Sequence, residues 1–329
     1  MRLQVEDSEV HGTGCIGVEV AGGVTQSLTP GRSFVRNSRI ENCSRWHRTY
    51  MPALSFGGVG NSFTGNHLSG GPHAAMVGGC NDCLCTCMQH LSEPSRLSRN
   101  ANKELLRAVD NNTVSRFLFE TADSGAFYDG RTWLHRGNVI SNNRFEDIRH
   151  TDPQRDNKGG LAAAVYFDDM LSGNSVINNS FHRCDTGVLI GGGRHHLVQG
   201  NRFEDIGTQC VWVDARGLNA PGGPAMNEWC KVGGTFEEEL RAVHYLSPPW
   251  STRYPELPPI FAANDSVRSC TPANNLVVDN SCAGVGTVFL DTSPSMGHPV
   301  KIMEGWRDTF ARNVNSSGCR LFDGPGWHV

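Results

Sequence analysis

Two aspartates sit at matching places in recurring stretches of this chain: Asp168 in Ala164-Val165-Tyr166-Phe167-Asp168-Asp169, and Asp214 in Cys210-Val211-Trp212-Val213-Asp214-Ala215. A scaffold that holds two carboxyls a few ångströms apart suits glycosidic bond cleavage: one donates a proton while the other activates water or attacks. Asp169, Asp291, Asp123 and Glu120 are further carboxylates that could act or support. Tyr128, Tyr166 and Trp212 offer flat apolar faces to a sugar ring, and Arg131, Arg194 and Arg216 follow on successive repeats. Such arginines either bind an acidic sugar or pin the aspartates. Gly191 falls between the two aspartates.

The elements that would position these groups recur. Val165, Val188 and Val211 are spaced by 23 residues. A second strand type alternates with this one: Val139-Ile140-Ser141-Asn142-Asn143-Arg144-Phe145, then Val176-Ile177-Asn178-Asn179-Ser180-Phe181, then Leu197-Val198-Gln199-Gly200-Asn201-Arg202-Phe203. Short strands at a fixed period mark a solenoid. Asn-rich corners fit left-handed backbone and can stack as ladders. The expected fold is therefore all-β, a right-handed parallel β-helix over residues 1–329, with irregular insertions at 86–111 and 217–272.

Strand side chains alternate between faces. Val165 and Phe167, Val188 and Ile190, and Val211 and Val213 take the core face. The outward face then reads Gly57, Gly78, Gly130, Asp168, Gly191, Asp214 and Asp291, beside Tyr128, Tyr166, Trp212 and Phe289. Glycines there make sense if a ligand lies close to the backbone. Asp168 and Asp214, two coils apart, have backbones about 9–10 Å apart, within reach of the inverting carboxyl separation. Gly191 would leave the intervening space empty. Asp291, one coil beyond Asp214, is the second choice of partner.

The formal charge of −4 and pI near 6.3 give no reason to expect a nucleic-acid partner, and no apolar run is long enough for a membrane span. The N-terminus lacks an apolar signal-peptide core, and neither end shows an obvious cap, so the chain reads as a fragment of a longer, secreted or extracellular protein. No metal or cofactor is expected. Cys80, Cys83, Cys85 and Cys87 form one tight knot rather than the two separated pairs of a zinc site. Cys184, Cys210 and Cys282 read as free core thiols. His195 and His196, being adjacent, cannot both bind one ion from a regular strand, and a turn suits them better. Residues Asn102 to Val109 read as a short helix. So does Thr235 to Val243, with Thr235 as N-cap, followed by a stiff, extended proline segment over 247–259.

Asp123-Ser124-Gly125-Ala126-Phe127-Tyr128-Asp129-Gly130-Arg131-Thr132-Trp133, with Arg136-Gly137-Asn138-Val139-Ile140 after it, resembles a signature of bacterial right-handed parallel β-helix proteins of polysaccharide breakdown. Tyr166-Phe167-Asp168-Asp169, Gly191-Gly192-Gly193-Arg194, Val213-Asp214-Ala215-Arg216-Gly217 and Pro249-Trp250-Ser251-Thr252-Arg253-Tyr254-Pro255 continue the match in order. The group it resembles is glycoside hydrolase family 141, whose members include fucosidase and xylanase activities. The resemblance spans residues 50–85 and 112–315; the insertion at 86–111 departs from it. It implies a hydrolase using Asp168 and Asp214 on a carbohydrate substrate. A polysaccharide lyase on the same fold, and a non-catalytic glycan-binding or scaffold β-helix, are the alternatives.

Overall fold

A computed structural model of the chain describes residues 2–78, 108–150, 161–218, 228–262, 264–284, 287–291, 309–316 and 319–323. Three nine-stranded sheets run along it, and every coil adds one strand to each in turn. One coil consists of Ser175–Ile177, Ser180–His182 and Thr186–Gly191; the next of Leu197–Gln199, Arg202–Glu204 and Gln209–Asp214. Successive coils pair in parallel. This is a parallel β-helix. The second strand type is in fact two strands, because a two-residue corner breaks it.

That corner has a simple physical rule. Its first residue takes a left-handed φ: Asn111 at 55°, Asn142 at 54°, Asn178 at 55°, Gly200 at 67°. Its second turns an Asn side chain into the core, where backbone amides would otherwise lack partners. Asn66, Asn112, Asn143, Asn179, Asn201 and Asn280 are each at most 2% exposed. Asn143 donates its backbone N–H and its side-chain amide to Asn179 Oδ1, both at 2.9 Å, and its second amide hydrogen to Val109 O at 2.8 Å. Asn179 repeats the pattern toward Asn201 and Ile140, and Asn201 toward Asn280 and Val176.

A shorter ladder lines the corner between the third sheet and the first. Asn138 N donates to Asn174 Oδ1, Asn174 N to His196 Nδ1, and His196 N to Asn275 Oδ1. His196 thus stands in for an asparagine, with Nε2 directed at Leu171 O at 2.7 Å. Its neighbour His195 takes the turn position, φ 58°. Inside, Phe145, Phe181 and Phe203 stack at 5.2 and 4.7 Å with planes 7° apart.

Several expectations are corrected. Ala108–Asp110 is a strand paired with its neighbours in the first sheet, and Asn111 is its corner, so residues 108–111 belong to a coil and not to an insertion or helix. The Cys80–Cys87 cluster lies outside the described residues. The helix Thr235–Ala242 forms, but Gly234 is its N-cap. The proline segment folds into the helical turns Trp250–Arg253 and Pro258–Ala262 instead of running extended; proline tolerates a first helical turn because the N–H it lacks would be unbonded there. Cys282 is not a free thiol: it is bonded to Cys319, and Cys230 to Cys270. Among the described residues no helix is long and apolar enough to cross a membrane.

The helical insertion packs on the outside of the solenoid. Phe236, Leu240, Trp250 and Phe261 share a core with Trp133, Leu134 and Met170 of the coils. Trp133 donates to Met170 O and Trp250 to Thr25 O.

Truncating Asn179 to Ala leaves the Asn143 backbone N–H and one of its amide hydrogens without their acceptor and removes the side-chain donors to Ile140 O and Asn201 Oδ1; it is expected to cost about 3 kcal/mol, read as a lower urea midpoint. Burial lowers the pKa of His196 and His73 from 6.5 to about 4, and of His195 to about 3. These histidines bind protons less readily folded than unfolded. Their stability contribution is complete above pH 6.5 and is lost as the pH falls toward about 4 for His196 and His73 and about 3 for His195, roughly 3 kcal/mol for His196. His196→Asn, which keeps a ladder acceptor, should flatten the decline between these values; identical stability–pH slopes for variant and wild type would contradict the assignment.

Candidate active site

The site lies on the outer face of the third sheet. Strand pairing sets one row as Glu19, Ser55, Val77, Tyr128, Tyr166, Leu189, Trp212 and Asp291. In the next row Gly130 pairs with Asp168, and Gly191 with Asp214. Phe167 pairs with Ile190, which puts Asp168 beside Gly191.

This register corrects the expected columns in two places. Val77, not Met76, is level with Tyr128, so Gly78 pairs with Phe56 in the inward row. Asp291 pairs with Trp212 and not with Asp214, and Phe289 is buried in the main core. Two residues of slip across the insertion bring this about. Asp291 is therefore not the strand neighbour of Asp214.

The expected open groove is also corrected. Tyr166 is fully buried and Tyr128 is 6% exposed; with Ala74, Val77, Ala163 and Leu189 they form a small apolar cluster of their own, against which half-buried Trp212 packs. The space over Gly191 is not empty. A Cβ there would lie 2.7 Å from Arg216 Cζ and Nε, so the guanidinium occupies the position expected for a water. The glycines make room for neighbouring side chains: Gly191 for Arg216, Gly130 for Asp168.

Arg216 joins what the sequence left apart. Its Nη2 donates to Asp214 Oδ2 at 2.6 Å, and Nε lies 3.0 Å from both Asp214 oxygens. Nη1 donates to Tyr166 Oη at 2.7 Å and to Asp168 Oδ1. Asp168 Oδ1 also accepts from Asp169 N at 2.8 Å, and Oδ2 accepts from Tyr128 Oη at 2.6 Å. Asp168, Asp169, Asp214 and Arg216 are all at most 5% exposed. Asp169 sits on the bend after the strand, φ 38°, and accepts from Arg131 Nε at 2.8 Å.

The electrostatics follow from this packing. Burial opposes the Arg216 charge, yet Asp214 foremost, then Tyr166 and Asp168, holds its pKa above the ordinary value. Burial and then Asp168 raise the pKa of Asp169, against the pull of Arg131. The same two causes raise Asp123, on the exposed rim. Tyr128 and Tyr166 are likewise raised by burial and by Asp168, so both keep their protons and act as donors or acceptors, not as charges.

Arg131 is the solvent-facing cation, its side chain 55% exposed. Tyr50 joins it at the mouth, 6.0 Å from the Tyr128 ring and edge-on to His73. Tyr50 lies in a loop outside the repeat, so no periodic signal pointed to it. Glu120 is engaged by Arg48 at 2.7 Å. Arg194 is buried and donates to the carbonyls of Arg268 and Ser269, fastening the helical insertion. Among the described residues the one group with metal-ligand spacing is Cys210, Cys282 and Cys319, away from the carboxylates and partly oxidised.

No family model, curated protein or solved structure matches this chain.

Arg216→Met strands two buried carboxylates and should cost about 3–5 kcal/mol. Adding Asp168→Asn and Asp214→Asn removes those charges and should restore much of the loss. Urea unfolding of the single and triple variants decides it; a single variant as stable as wild type would show that the three charges are not coupled.

Proposed function

We propose that the chain is a glycoside hydrolase acting at this carboxylate cluster. The observation that carries the reading is the desolvation of Asp168 and Asp214 on the outer face of a sheet, with Asp169 buried on the bend beside them, where folding does not call for charge. Elsewhere the outer faces carry exposed ion pairs such as Arg202–Glu204. Buried charges with fixed partners suit a reaction that develops charge on a substrate.

Roles follow from access and charge. Asp168 is the central carboxylate, oriented by Tyr128, Arg216 and the Asp169 amide. Its partner in acid–base work must reach the substrate and carry a proton, which suits Asp123 on the rim, or Asp169, both with raised pKa. Asp214, whose two oxygens face Arg216, takes part by holding that guanidinium against Asp168. Arg131, Tyr50 and Trp212 stand where a sugar would enter. The disulfides Cys230–Cys270 and Cys282–Cys319 fit an oxidising, extracytoplasmic setting in which polysaccharide is met.

The test is reducing-sugar release from a panel of plant and algal polysaccharides. Asp168→Asn should lower release about 10²–10⁴-fold, with circular dichroism unchanged. Asp214→Asn should also lower it, through the loosened Arg216. Full activity in Asp168→Asn, or no release from the folded wild type on any glycan, would overturn the reading.

A further inference from the structure

At the far end of the solenoid three sulfurs meet inside the core. Cys210 lies in the strand Gln209–Asp214, Cys282 in Ser281–Ala283, and Cys319 just ahead of Arg320–Asp323. Cys282 and Cys319 are bonded to each other, while Cys210 is a free, buried thiol. Cys210 Sγ is 3.1 Å from Cys282 Sγ, and all three sulfurs lie within 4.8 Å of one another. All three residues are buried. The chain thus places a thiol in contact with one sulfur of a disulfide, and such proximity is what thiol–disulfide exchange first requires.

We propose that Cys210, Cys282 and Cys319 form an exchange site in which the cross-link moves between two pairings. Cys210 gives up its proton, and the thiolate attacks Cys282 Sγ. The Cys210–Cys282 bond forms as the Cys282–Cys319 bond breaks, and Cys319 leaves as a thiolate that takes the proton. One disulfide and one thiol enter, and one disulfide and one thiol leave, so no external oxidant or reductant is needed. A structural zinc site would call for four ligands, and the described residues offer three, two of them already joined; exchange fits the sulfurs better.

The two pairings do different things. Cys282–Cys319 closes a loop of sequence separation 37 and fastens the last coil. Cys210–Cys282 closes one of 72, ties down the strand that carries Asp214, and frees Cys319 in the last coil. Burial pushes the Cys210 thiol up, which keeps it protonated while the core is shut. Exchange therefore accompanies opening of the last coil, when solvent reaches Cys210 and the thiolate forms. This inference does not rest on the proposed hydrolase activity.

The test uses the wild-type chain, purified without reductant. It is held at mildly alkaline pH in urea below the unfolding transition, quenched with acid, and alkylated. Peptides are then mapped by mass spectrometry without reduction. The expected result is label appearing on Cys319 and disappearing from Cys210 mole for mole, with a Cys210–Cys282 peptide present and total free thiol constant. A Cys210→Ser protein treated alike should leave Cys319 unlabelled. Label on Cys210 with none on Cys319 in the wild type would overturn the proposal without any variant, as would equal Cys319 labelling in Cys210→Ser.

Discussion

The stacked asparagine ladder is the constraint on which the rest depends. A parallel β-helix must turn its chain every few residues and still bond every buried backbone group. At the first corner the problem is met by one side chain per coil, with both amide hydrogens and the carbonyl oxygen of Asn143 and Asn179 in use. Because each amide bonds to the coil above and to the coil below, the ladder fixes not only the corner but the register between coils. A slip of one residue would send every side chain to the wrong face.

That register is what assembles the candidate site. Tyr128 beside Tyr166, and Gly130 beside Asp168, are consequences of pairing in the third sheet. Glycine at 191 then leaves a channel one side chain wide, through which Arg216 reaches from the Asp214 coil across to Asp168 and Tyr166. The guanidinium stays charged in a dry place because it meets two carboxylates there, and removing either side of such a pair leaves buried charge without a partner. The proton-bearing candidates, Asp169 and Asp123, are raised by the Asp168 charge that this network holds in place.

The helical insertion adds a second constraint. Its buried face covers Trp133, Leu134 and Met170, the residues just after the strands that end at Gly130 and Asp168. The bends that place Arg131 and Asp169 are thereby packed from outside, and Arg194 and Arg136 tie the insertion down through polar contacts at Arg268, Ser269 and Glu256. At the far end of the solenoid the sulfur cluster occupies the same interior that phenylalanines fill earlier: Phe181 pairs with Phe203, and Phe203 with Cys282.

Periodicity alone determined the architecture. The recurrence of Val165, Val188 and Val211 and the Asn-rich corners specify a coil, since a strand's two-residue repeat and a corner's need for left-handed backbone are local properties. The same local logic put Asp168 and Asp214 on one face with Gly191 between them. What filled the gap was decided only by tertiary structure. Arg216 lies two residues beyond Asp214, and nothing in its neighbours says that it folds back over a glycine on another coil. The burial of Tyr128 and Tyr166 likewise depends on side chains packed beside them from other coils. The two-residue slip that takes Asp291 away from Asp214 arises across a long insertion, where no repeat keeps count. The disulfide at Cys282 depends on how closely two coils approach. Local backbone chemistry can be read along the chain, whereas contacts between coils are set by register, and register is a property of the stacked whole.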